Sequence, residues 1–343
     1  MDKILTYTLR EEDLGKTAQG LVNLVLKNCV RVTGHEISAA KYTEGGITCD
    51  GKLIHVSDRM LPGQTLRVIL PEDPQKEGRM VPAEGRLDIL YEDEDLLIVN
   101  KPAGVVVHPS PGHYQDSMAN LVAGYYAEQG IPTVARIIGR LDRETSGVLA
   151  FAKNRASAAR LSRERQTDAL RRTYLAVAEG VPDPPQGEIN RPVAAIPGVL
   201  MKRQVTEDTK TGARAITHYE VLWHGFLPGR EISLVRCRIE TGRTHQIRLH
   251  MASTGHPLVG DCIYGSDAAA PRREGEIPEA GVRPHPETRA MLHAVSLTLC
   301  QPFTGERITV RAPLPADFSQ VLAAAGCPFR DPDLLSGPSV AQG

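Results

Sequence analysis

At 343 residues, 41% of them hydrophobic and 24% charged, the chain has the make-up of a globular protein long enough for two domains, each with its own core. No apolar run reaches the roughly 18 residues that cross a membrane, and the opening MDKILTYTLREEDLG lacks the apolar stretch of a secretory leader, so the expected location is cytoplasmic. The net charge of -1 hides a contrast. Residues 71–99 hold nine Asp/Glu against three Lys/Arg, whereas residues 136–172 hold ten Lys/Arg against four Asp/Glu, a basic segment able to face a phosphate backbone or simply to be a solvated helix face.

Residues 1–72 mix helical and strand signals and form the first expected unit. Asp50-Gly51 marks a hairpin between two short strands, and Leu61-Pro62-Gly63 turns the chain into a strand from Thr65 to Leu70. Residues 73–86, polar and broken by Pro and Gly, read as a linker. The second unit is expected over 87–320, followed by a C-terminal tail at 321–343 that is expected to be frayed after about Phe329. Within it, Asp95–Lys101, Gly104–His108, Gly147–Ala152, Tyr174–Gly180 and Ser233–Gly242 read as strands. Met118, Leu121, Val122 and Tyr125 have helical spacing, and Asn154 is placed to cap a helix running to about Gln166. The stretch from about Ser266 to Arg289 reads as a surface insertion. Short strands with a few helices and no internal repeat predict an α+β fold.

The chemistry concentrates in Ile138–Asn154, where a loop with Arg140, Asp142 and Arg143, closed by Thr145-Ser146-Gly147, leads into an apolar strand. An isolated loop Asp commonly does no more than bond nearby backbone amides. Flanking arginines favour the ionised carboxylate that a nucleophile or base requires. The histidines at 245, 250 and 256 are spaced unlike metal ligands on one helix face, and the six scattered cysteines offer neither a zinc pattern nor a redox pair. No P-loop or dinucleotide fingerprint occurs, so no cofactor and no metal are expected.

GRLDRETSGVLAFAKN resembles the signature of the RluA-type pseudouridine synthases. Four more segments match that family in order: LIVNKPAGVVVHPS at 97–110, RRTYLAVA at 171–178, ETGRTHQIRLH at 240–250 and AMLHAVSLTLCQPFTGE at 290–306. Together they span about 87–313. The resemblance implies a mixed, mainly antiparallel sheet with flanking helices, and isomerisation of uridine to pseudouridine in RNA without cofactor. It makes Asp142 the catalytic carboxylate, attacking either the ribose or the base, with Tyr174 against the uracil and Arg248 pairing with Asp142. Read as strand residues, Ile247 and Leu249 would put Arg248 on the opposite side from the apolar face. Lys101, Arg140, Arg143, Arg243 and His245 are expected to contact RNA. Gly139 stands where family members often have His.

Residues 1–72 resemble the small alpha-L RNA-binding motif, through GITCDGK at 46–52 and LPGQTLRV at 61–68, with Asp50 in place of Asn and Gln64 in place of an acid. Lys52, Arg59 and Arg67 would then meet phosphates, and Arg31, His35 and Lys41 precede the hairpin. The expected partner is ribosomal or transfer RNA, the expected state a monomer. A non-catalytic RNA binder would have no need of Asp142, Tyr174 and Arg248 together. A glycosidase would need a second carboxylate, and the nearby Glu144 is expected to pair with Arg140 or Arg143.

Overall fold

The structure is a computed structural model that describes residues 2–72, 80–131, 134–165, 167, 169–199, 202–208, 210–265 and 289–329. Four antiparallel strands form the first sheet, in the order β1 (Lys3–Thr8), β4 (Thr65–Leu70), β2 (Ile47–Cys49), β3 (Lys52–Leu53). Asp50 and Gly51, with φ of 48° and 79°, close the β2–β3 hairpin as their residue types allow. Helices α1 (Val22–Asn28) and α2 (Gly34–Lys41) pack on this sheet through Val22, Val25, Leu26, Ile37 and Ala40. A capping box starts α2: Thr33 accepts from the Glu36 amide while Glu36 accepts from the Thr33 amide.

This unit docks on the rest of the chain. Ala156 and Phe303 join its core. The Phe303 ring lies between the Lys3 ammonium, 4.7 Å from its centroid, and the Arg160 guanidinium at 4.2 Å. Lys3 also reaches the buried Asp95 at 2.9 Å, and Arg160 binds Glu36 at 3.2 Å and the Arg31 carbonyl at 2.9 Å.

The second sheet has ten strands. Its main path runs β10 (Gln186–Asn190), β13 (Ile216–Leu227), β14 (Arg230–Ile239), β9 (Arg171–Glu179), β15 (Leu292–Cys300), β8 (Ser146–Ala152), β6 (Leu96–Lys101), β5 (Ile89–Glu92). Strand β16 (Arg307–Arg311) pairs with β15, and β7 (Arg136–Ile138) with β8. All the pairings are antiparallel except β8 with β15. The apolar runs of β6 and β8 are continuous because both faces are covered. Leu97, Val99, Leu149 and Phe151 pack towards α3 (Met118–Glu128) and α5 (Gln246–Ser253). Leu96, Ile98, Val148 and Ala150 pack with Leu161 of α4 (Arg155–Glu164). Asn154 caps α4, accepting from the Ser157 amide at 2.8 Å. Helix α6 (Ala316–Ala324) covers β9 and β14 through Phe318 and Leu322.

Two sequence expectations need correction. Residues 104–108 are not a strand: the Val106 and Val107 carbonyls accept from the first amides of α3, and the Val105 carbonyl is taken by Lys101. Residues 246–253 form a helix, and the alternation of Ile247 and Leu249 was misleading over so short a span. The described part of the expected linker lies along α3, where Ala83 bonds the Asn120 carbonyl and passes over Gly124. A side chain at 124 would run into the Ala83 carbonyl, so this glycine permits the close approach. The expected surface insertion up to residue 288, and the tail from 330, lie outside the described residues.

Candidate active site

Asp142 sits, half-buried, in the loop that enters β8. The loop is tight: the Thr145 amide donates to the Asp142 carbonyl at 3.1 Å. Its exit requires glycine. Gly147 has φ +110°, and a Cβ there would collide with the Ala294 backbone of the parallel strand β15.

Lys101 locks the other side of the loop. It is fully buried, and its ammonium donates to the carbonyls of Pro102 (2.8 Å), Val105 (2.8 Å) and Arg143 (3.0 Å), using all three N–H groups. Gly104 and Arg143 add a reciprocal pair: the Gly104 amide donates to the Arg143 carbonyl at 2.8 Å and Arg143 Nε to the Gly104 carbonyl at 3.1 Å. Burial pushes the Lys101 pKa down to about 7, opposed by the negative charge of Asp142. Lys101 is therefore a clamp beneath the loop rather than a surface cation for RNA, because nearby carbonyls replace its water.

Arg248, 2% exposed on α5, does not bond Asp142. Its guanidinium makes a bidentate pair with Asp261, Nε to Oδ2 at 2.7 Å and Nη2 to Oδ1 at 2.6 Å, and reaches Glu144 at 3.1 Å. Glu144 accordingly pairs with Arg248 and not with Arg140 or Arg143. Burial raises the Asp261 pKa, but the bonds from Arg248 outweigh it and hold the carboxyl below the usual range. Arg289 fixes the same loop from below, donating to the Glu144 carbonyl at 3.1 Å while held in a bidentate pair by Asp317. Asp261, Arg289 and Tyr264 escaped the sequence reading, since nothing in their local patterns marks partners that lie far along the chain.

His245 is 4% exposed with φ +57° at the start of α5, its ring edge-on to Tyr264 and Nδ1 3.2 Å from the Tyr264 hydroxyl. Burial lowers its pKa, with Asp142 opposing. It too is no open surface cation. The turn before it is held by Gln246, whose Oε1 accepts from the Arg243 amide and the Thr241 hydroxyl. Tyr174, on β9, is 4% exposed, with its hydroxyl 3.5 Å from Arg172. Arg140 and Arg243 are exposed, Arg143 half-buried, and Lys52 exposed on the β2–β3 hairpin. The structure thus places Lys101, His245, Arg248 and Tyr264 each within electrostatic reach of Asp142 and leaves Lys52 in the other unit.

His250 and His256 serve the backbone, bonding the carbonyls of Arg191 and Glu179. The ligand atoms of Glu188, His218 and Glu240 do converge within 4.8 Å on the surface, where Glu240 also pairs with Arg214 at 3.1 Å. No helix among the described residues is long and apolar enough to cross a membrane.

Residues 95–253, the span holding the Asp142 loop, Tyr174 and Arg248, match the RNA pseudouridylate synthase family. Ribosomal large subunit pseudouridine synthase D of Escherichia coli is 32% identical over 328 residues, covering 95% of this chain and 96% of that one. The chain belongs to the RNA pseudouridine synthases. An uncharacterised RNA pseudouridine synthase of Bacillus subtilis, YhcT, is 36% identical over 78% of this synthase and 81% of its own length. Among solved structures, human RNA pseudouridylate synthase domain containing 4 superposes with a TM-score of 0.52 at 25% identity, over 69% of this synthase and 92% of that chain. The synthase isomerises uridine to pseudouridine in RNA.

Proposed function

We propose that the synthase acts on uridines of large-subunit ribosomal RNA, with Asp142 as the catalytic carboxylate and no cofactor. The observation that carries the residue assignment is the division of labour among the acids of the site. Glu144 and Asp261 are engaged by Arg248, whereas the Asp142 carboxylate accepts no hydrogen bond and makes no ion pair among the described residues. It is thus free to meet substrate, on a loop held from beneath by Lys101 and Arg289.

The reaction breaks the bond between uracil N1 and ribose C1′ and forms one from C5 to C1′. The C5 proton leaves and N1 gains one, so atoms balance. A carboxylate serves this by attacking C1′ or by adding to the base. Uracil in a duplex is out of reach, so the target uridine is looped out or flipped, with Tyr174 against the ring. Arg140, Arg143 and Arg243 hold the RNA backbone, and Arg248 positions the loop through Glu144. Residues 1–72 act as an alpha-L-like RNA-binding module, with Lys52 meeting phosphate, and the enzyme works as a cytoplasmic monomer. The ribosomal assignment rests on likeness to the large-subunit enzyme of Escherichia coli along nearly the full length of both chains.

Purified wild type is expected to release tritium from large-subunit ribosomal RNA labelled at uridine C5. Asp142→Ala should release none, with RNA affinity and circular dichroism unchanged. An Asp142→Ala protein that still releases tritium overturns the assignment.

A further inference from the structure

Arg172 stands on β9 two residues before Tyr174, so both side chains leave the strand on the same side. Its guanidinium lies over Gly139: a Cβ built there would be 3.4 Å from both Nη atoms. The bonds that Arg172 makes are long, 3.5 Å from Nη1 to the Tyr174 hydroxyl and 3.4 Å from Nη2 to the Ile138 carbonyl. Its Nε is buried without a partner. A guanidinium has five N–H donors, and two weak bonds leave most of that capacity unused. The sheltered Arg160, Arg236, Arg248 and Arg289 each meet a carboxylate, whereas Arg172 meets none among the described residues. An under-bonded, half-buried cation facing the loop of Asp142 is suited to an anion arriving from outside.

We propose that Arg172 binds a phosphate of the RNA backbone beside the target uridine, in space that Gly139 leaves open. The inference rests on the reading of Asp142 and Tyr174 as the catalytic pair. Gly139, with φ +72°, carries no side chain between the guanidinium and the loop, so the fork of Arg172 takes over contacts at this corner of the cleft. The uracil then lies on Tyr174 while its own phosphate is gripped two residues away along the same strand.

The test uses total RNA from cells lacking the gene, labelled with tritium at uridine C5, kept well below saturation. Tritium release by the full chain is followed across a salt series. Wild-type release should fall steeply with salt, and Arg172→Ala should cut release about tenfold or more at low salt and reduce the slope of log rate against log salt by about 0.7–0.9, the signature of one lost phosphate contact. Arg172→Gln should repeat the change in slope with less disturbance to packing, and Arg172→Lys should restore it. Slopes equal to wild type in both the Ala and Gln variants would make Arg172 a packing residue and overturn the proposal. Absence of release by wild type itself would instead overturn the reading of the active site.

Discussion

Arg248→Met keeps most of the bulk of a side chain that is 2% exposed while removing the partner of two carboxylates. Asp261, whose side chain is fully buried, would lose both bidentate bonds and keep only those from the amides of Ile263 and Tyr264. Breaking a buried pair from one side typically costs about 3–5 kcal/mol, because the remaining charge is left uncompensated in a poor solvent. That is a large fraction of the ~5–15 kcal/mol that holds a domain together. Urea unfolding at pH 7 should show the midpoint falling with little change in slope. Adding Asp261→Asn removes the stranded charge and keeps an acceptor for the two amides, so the double variant should recover most of the stability. Activity should not return with it. Glu144, two residues beyond Asp142, loses its tether in both variants, and a misplacement of about 1 Å can cost on the order of a hundredfold in rate. A loss below about 1 kcal/mol for Arg248→Met, or a double variant no more stable than the single, would refute the view of Arg248 as a buried charge partner.

Two further outcomes follow from buried groups. His293 accepts from the Ser146 hydroxyl at Nδ1 (2.9 Å), donates to the Ala312 carbonyl, and has its pKa pushed down by burial to about 4. Because its folded value lies below its unfolded one, the unfolded chain binds the proton first, and about 3 kcal/mol of stability should drain away as pH falls from about 6.5 to 4. Unfolding midpoints measured across that range should fall less steeply in His293→Gln, and parallel curves would rule this histidine out as the cause. Lys101→Met leaves the Pro102 and Val105 carbonyls without their donor, while the Arg143 carbonyl keeps the Gly104 amide; at about 1–3 kcal/mol for each group that water cannot reach, thermal unfolding should show a loss of at least ~2 kcal/mol together with loss of activity. A stable, active Lys101→Met protein would contradict the clamp.

Much of the Asp142 loop was legible because its signals are local. The apolar run of β8, the turn before it and the Asn154 cap each depend on neighbours within a few residues, and all three form. What escaped depends on distance along the chain. Lys101 ends an apolar strand and reads as a solvent-facing charge, and only the fold shows that the Arg143 carbonyl, 42 residues on, receives it. Arg248 pairs with Asp261, thirteen residues away across a turn, where the family resemblance implied Asp142. Alternation over Ile247 and Leu249 suggested a strand, yet residues 246–251 are all buried in a helix, with Ile247 and Met251, one turn apart, in the main core and Leu249 in another cluster. Gly139 looked like a mere departure from a family pattern, and its φ of +72°, a backbone conformation that side chains disfavour, supplies a physical reason for glycine there.

The most direct test maps pseudouridine across cellular RNA by chemical marking, in cells lacking the gene and in the same cells supplied with wild type or with Asp142→Ala. One or a few sites in large-subunit ribosomal RNA should disappear with the gene, return with wild type, and stay absent with Asp142→Ala. Sites that return with Asp142→Ala would contradict the central role of that carboxylate, and a map unchanged by loss of the gene, with related enzymes removed as well, would contradict the proposed substrate.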